Sequence, residues 1–134
     1  MNRKLFSLKI INKHQETRDS FSFTLRINDE LKRQFQFIPG QYLTVCLIVK
    51  NVSHYRSYSI CSSSHLQNIS FCVKRVPNGL VSNILCDNYD LGDALQLSPP
   101  SGDFIINNSF LESYRNLVFV TAGSGITPIK SMID

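Results

Sequence analysis

Between residues 21 and 27 apolar and polar side chains alternate without a break: Phe21, Phe23, Leu25 and Ile27 against Ser22, Thr24 and Arg26. An extended strand with one face buried and the other in water satisfies that pattern, because successive strand side chains point to opposite faces. Such a strand needs partners, and the chain supplies them. Phe6 to Ile11, Gln41 to Val49, Arg56 to Ser62, Ile69 to Arg75 and Ala94 to Ser98 all read as strands. Phe37-Ile38-Pro39-Gly40 is turn chemistry that launches Gln41 to Val49, and Lys50 to Tyr55 reads as a polar loop after it. Asp29 to Gln36 is polar with a short helical look, Leu91-Gly92-Asp93 turns the chain, and Pro99-Pro100 ends the last ladder. Strand after strand with few helices predicts a mainly β chain, an antiparallel barrel or sandwich.

At 134 residues with 43% hydrophobic content, there is room for one domain with a real core. A formal charge of +4, with acids scattered throughout, favours anionic ligands without making a polybasic tail. No apolar run reaches the roughly 18 residues that span a bilayer, and the first residues lack a secretory core, so the chain is read as cytoplasmic with no membrane contact. Cys46, Cys61, Cys72 and Cys86 have neither zinc-pair nor local iron–sulfur spacing and read as small buried thiols. His14, His54 and His65 have no partner at a telling spacing, and no metal site is predicted.

Two stretches carry chemistry. Arg56-Ser57-Tyr58-Ser59-Ile60-Cys61-Ser62 sets a cation, an aromatic face and hydroxyls along one strand. Arg56, Tyr58 and Ile60 should share a face, with Ser57, Ser59 and Cys61 on the other. A guanidinium fork suits a phosphate and a tyrosine ring suits a heteroaromatic plane, although a half-buried strand with a solvated arginine has the same pattern. After Pro77-Asn78-Gly79, the residues Leu80, Val81, Ile84 and Leu85 make one apolar helical face. The start of that helix, with Ser82 in its first turn, offers unpaired N–H groups to phosphate oxygens, or it simply plugs the end of a barrel. Beyond residue 115 the character changes. Leu117-Val118-Phe119-Val120 reads as a strand buried on both faces of a parallel sheet, and Thr121-Ala122-Gly123-Ser124-Gly125-Ile126-Thr127-Pro128 follows as a nucleotide-binding strand–turn–helix start. Without sheet neighbours, 116–134 is expected to be poorly ordered or packed opportunistically.

Taken with Phe37-Ile38-Pro39-Gly40-Gln41-Tyr42, Val73-Lys74-Arg75 and Pro99-Pro100-Ser101-Gly102-Asp103-Phe104, these motifs make the chain resemble the N-terminal part of the ferredoxin–NADP reductase superfamily. Within it, the likeness is to the reductase components of bacterial oxygenases, such as the phenylacetyl-CoA epoxidase reductase subunit. The resemblance implies an FAD-binding Greek-key barrel over 1–104, a linker over 105–115 and the truncated start of an NAD(P)-binding domain over 116–134. It implies FAD rather than FMN as cofactor, NAD(P)H as donor, and an iron–sulfur or haem electron acceptor, an oxygenase component among the candidates. By the same likeness Arg56 contacts the cofactor's phosphates with Ser57 beside it. Tyr58 and Ser59 stand at the reacting ring, Tyr58 against the isoalloxazine and Ser59 near N5. Val73 and Lys74, with Gly79, Leu80, Val81 and Ser82, hold the pyrophosphate. Gly123, Gly125, Thr127 and Pro128 line the nicotinamide side. Asn78 stands where many members carry glycine. The activity implied is that of a flavin-dependent NAD(P)H oxidoreductase. Two alternatives from other classes are a non-catalytic flavin module needing a partner chain, and a barrel binding single-stranded nucleic acid through Tyr42, Tyr55 and Tyr58.

Overall fold

A computed structural model describes residues 4–134. Its six strands are β1 (Phe6–Thr17), β2 (Ser20–Leu25), β3 (Tyr42–Val49), β4 (Val52–Ser59), β5 (Ile69–Lys74) and β6 (Ala94–Leu97). They lie in the order β4-β3-β6-β1-β2-β5 with every neighbouring pair antiparallel. A bridge between Ile60 and Phe71 brings β4 to β5 and closes the sheet into a barrel.

The period-two pattern explains the core. Leu8 and Ile10, Phe23 and Leu25, Leu43, Val45 and Leu47, Ile69, Phe71 and Val73, and Leu95 and Leu97 all point inward, none more than 3% exposed. Each such side chain contributes about 1.5–3 kcal/mol by leaving water. Helix α1 (Leu80–Asn88) lays Val81 and Leu85 on one end of that core. Its last carbonyls are capped from across the barrel, where Lys13 Nζ donates to Cys86 O at 2.9 Å and Tyr89 O at 2.7 Å. Arg75 fixes α1 to the end of β5 through a forked pair with Asp87, at 2.9 and 2.5 Å.

Two expectations are corrected. The supposed polar loop Lys50 to Tyr55 is mostly strand, since β4 begins at Val52 and pairs with β3 from Val49↔Val52 onward. The turn is Lys50-Asn51 alone, with both residues left-handed at φ 50° and 62°, the geometry of a type I′ hairpin. The polar residues mislead because the first half of β4 is largely exposed. Second, Leu117-Val118-Phe119-Val120 forms no strand; Val118 is 87% and Val120 94% exposed, for want of a sheet to join. The expected linker 105–115 carries a short helix, α2 (Asn108–Ser113), started by Asn107 Oδ1 accepting from Phe110 N at 2.9 Å. Helix α3 (Ile126–Ile133) folds back on the barrel and buries Pro128, Ile129 and Ser131.

Candidate functional site

β4 and β5 separate beyond their single bridge, and α1 fills the gap. Arg56 and Tyr58 stand opposite Val45 and Leu43 of β3, and Ile60 is fully buried, so the three share the inward face as the alternation predicts. Arg56 is nonetheless exposed, because β5 has moved away from it. The result is a recess of about 250 Å³ whose lining includes Arg56, Tyr58, Lys74, Gly79 and Leu80.

Helix α1 opens on this recess. Its N-cap, Gly79, makes no side-chain cap bond, and there is no acid in the first turn. The helix's own pattern leaves the N–H groups of Leu80 and Val81 unengaged, with the positive end of the dipole behind them. Gly79 itself is demanded by packing: its N–H bonds Val76 O at 2.8 Å, and a Cβ there would lie 2.7 Å from Ser82 Oγ and 3.0 Å from Val76 O. Asn78 takes the left-handed φ of 60°, which asparagine tolerates. Ser82 is buried, its oxygen accepting from Val76 N at 3.2 Å, so the proton is what its hydroxyl has left to give.

The other expected residues divide. Ser57 lines the recess while sharing a 3.1 Å hydrogen bond with Thr44 Oγ1. Arg56 Nη1 donates to Tyr55 O at 2.7 Å, leaving the rest of the fork outward. Tyr58 stacks on Phe71 at 5.4 Å between centroids, and Phe71 on Phe23 at 5.5 Å. Burial pushes the Tyr58 phenol up to about 12, with a smaller push from Cys86 that Arg56 opposes, so the hydroxyl stays a neutral donor. The Val73 side chain is wholly inside the core, so only its backbone faces outward. Ser59 is half-buried, and its hydroxyl has no partner among the described residues.

A second recess, of about 410 Å³, adjoins the first through Lys74, which lines both. One wall is the outer face of β2 and β5 with Cys61 and Cys72; the other is the glycine turn, with Gly123, Ser124 and Thr127. Gly125 and Pro128 stand outside the lining: a Cβ on Gly125 would meet Thr121 Oγ1 at 2.7 Å, and Pro128 is on the buried side of α3. Sequence reasoning missed Cys61 and Cys72 as wall residues. The signal was present, since Cys61 falls on the Ser57–Ser59 side of the strand and Cys72 two places before Lys74. Burial pushes Cys61 up to about 11, so it is a neutral, inert thiol. Among the described residues no three His, Cys, Asp or Glu gather as metal ligands, and no helix is long and apolar enough to cross a membrane.

A cationic, dipole-backed recess sized for phosphates joins a larger one with a glycine-rich wall, whose rim also carries Glu16, Asp19 and Lys130. On a closed antiparallel barrel, that pair of recesses has the chemistry to take a ligand carrying both phosphates and a flat ring. A family model described as an oxidoreductase FAD-binding domain matches residues 7–106, and the chain belongs to that family. It is 36% identical over 132 residues to the flavohemoprotein of Oceanobacillus iheyensis, covering 94% of this chain and 32% of the relative. The flavohemoprotein of Pseudomonas aeruginosa is 36% identical over 126 residues, covering 94% and 31%. The chain thus spans about a third of the length of these relatives. Phthalate dioxygenase reductase, described as a modular structure for electron transfer from pyridine nucleotides to [2Fe-2S], superposes with a TM-score of 0.75 at 30% identity, over 96% of this chain and 38% of that one. A ferredoxin NADP+ reductase from Neisseria gonorrhoeae shares the fold, with a TM-score of 0.80 at 20% identity, over 99% of this chain and 52% of that one.

Proposed function

We propose that the chain is the flavin-holding part of an electron-transfer reductase, taking reducing equivalents from NAD(P)H and passing them to an iron–sulfur or haem acceptor. The observation that carries the reading is the junction at Lys74 of a phosphate-sized recess with a ring-sized one. The proposed division is a barrel over 1–104, a linker over 105–115 and the beginning of a nucleotide domain over 116–134. One relative is named a flavohemoprotein and another is described as transferring electrons to [2Fe-2S], which supports that class of partner.

When bound, FAD supplies the chemistry: it accepts a hydride and releases electrons singly. The chain's own residues bind, orient and exclude water. The Arg56 fork and the open N–H groups of Leu80 and Val81 neutralise the pyrophosphate, aided by the Ser82 proton. Tyr58, held by Phe71, lines the smaller recess rather than the larger one and gives it an aromatic face with a neutral hydroxyl. Ser59, half-buried with its hydroxyl unengaged, is suited to bond a ring nitrogen such as N5. Cys61 and Cys72 give the ring a low-polarity wall, and Gly123 and Thr127 face them from the side where a nicotinamide would enter.

The test is the visible spectrum of the purified chain titrated with FAD, with Arg56→Ala alongside. A bound-flavin spectrum is expected, and the substitution should weaken binding by about tenfold or more, as loss of a charge-assisted fork does. No spectral change at any FAD concentration would refute the reading.

A further inference from the structure

We propose that Ser131 is a positioning residue that sets the separation between the glycine turn and the motif strand, and with it the width of the ring recess. The inference rests on the flavin reading of that recess. Ser131 is only 2% exposed, and its hydroxyl donates to Ser62 O at 2.7 Å across 69 residues of sequence. Ser62 is the last residue of the Arg56–Ser62 stretch. Its own Oγ accepts from Ser70 N at 3.0 Å, while Cys61 N donates to Ser70 O at 2.8 Å and Thr24 Oγ1 meets Ser70 Oγ at 2.9 Å. The Ser131 bond therefore ends in a polar chain that runs through the strand end into β5 and β2.

Among the described residues, no other side-chain hydrogen bond joins α3 to the barrel. Pro128 and Ile129 pack by apolar contact, and Met132 reaches toward Gly40, where a Cβ would lie 2.5 Å from its Cε. Apolar contacts tolerate sliding, whereas a buried hydroxyl on one carbonyl fixes both distance and direction. Thr127 lies one helical turn before Ser131, so fixing one places the other. Thr127 Oγ1 donates in turn to Ser124 O at 2.8 Å, and Gly125 N to Ala122 O at 3.1 Å. The position of Ser131 is thereby transmitted to the glycine turn opposite Cys61 and Cys72. The phosphate recess beside Arg56 has no α3 residue in its lining. Ser131 consequently acts on the ring half of the site and leaves the phosphate half alone.

The experiment compares the full chain with Ser131→Ala and Ser131→Thr by amide hydrogen exchange without ligand, and by titration with riboflavin and, separately, with ADP. In Ser131→Ala, amides of α3 and the glycine turn should exchange about tenfold faster with the strand ladders unchanged, as loss of one buried bond allows. Riboflavin binding should weaken by about tenfold while ADP binding stays the same, and Ser131→Thr, which keeps the donor, should recover riboflavin binding. Equal weakening of both ligands, or exchange in α3 that matches the unsubstituted chain, would overturn the proposal. An unsubstituted chain that binds neither ligand would sink the cofactor reading instead, and the exchange measurement alone would then decide the role of Ser131.

Discussion

Tyr58 shows how one residue joins the core to the site. Its ring completes a stack with Phe71 and Phe23, while its edge lines the recess. Because its folded pKa, about 12, lies above the ordinary value of 10.0, its contribution to stability is complete below pH 10 and is lost as pH rises through 12. A phenolate absorbance titration should therefore show one tyrosine ionising near pH 12, together with loss of near-UV circular dichroism, and Tyr58→Phe should remove that step. A normal titration of all five tyrosines would contradict the burial argument. At this scale much was legible: alternation alone put Arg56, Tyr58 and Ile60 on one face. What was not legible was that Arg56 would stand in the open on an inward face, because that depends on β5 diverging. Nor could the sequence show that Gly79 serves the packing of its turn, since Val76 and Ser82 meet there only in three dimensions.

Elements with a buried face were readable and those without one were not. The second half of β1 and the first half of β4 carry polar residues on both sides, so period two fades there although the backbone still pairs, in β1 with register shifts between Ile10 and Asn12 and between Gln15 and Thr17. The Lys50-Asn51 turn gave no signal of the Asn-Gly kind. Asn51 holds a φ of 62°, and Asn51→Gly should raise stability by about 0.5–1 kcal/mol, read as a higher denaturation midpoint with unchanged slope. The junction of β5 and α1 makes a separate prediction. The Arg75 guanidinium bonded to Asp87 holds that carboxyl below its ordinary value of 3.8. The stabilisation is present above pH 3.8 and fades as pH falls through the lower folded value. Asp87→Asn should flatten that part of the acid unfolding curve, and a curve of unchanged slope would show that the exposed pair contributes nothing.

At the scale of the whole molecule, fold class was readable because all six strands announce themselves, β4 only from Arg56 onward. Residues 117–120 mislead, because their composition fits a strand buried in a parallel sheet, whereas the described residues give them no sheet to join. Ligand should act on the assembly as a unit. If FAD binds the folded chain alone, a hundredfold excess over Kd adds about 2.7 kcal/mol, or roughly 10 °C in the melting midpoint. A midpoint independent of FAD concentration would show that the chain does not bind it. The barrel's closure gives that assembly a grain. The β3–β4 hairpin is attached to β6 by paired positions at Val45 and Cys46 and by exchanged bonds between Tyr42 and Ser101, but meets β5 at the Ile60–Phe71 rung and the adjoining Cys61 amide. It is a door hung on its β6 side and latched on the other. Breathing of the barrel should therefore have a direction, with amides at the Ile60–Phe71 seam exchanging in deuterated solvent before those of the β1–β2–β5 wall.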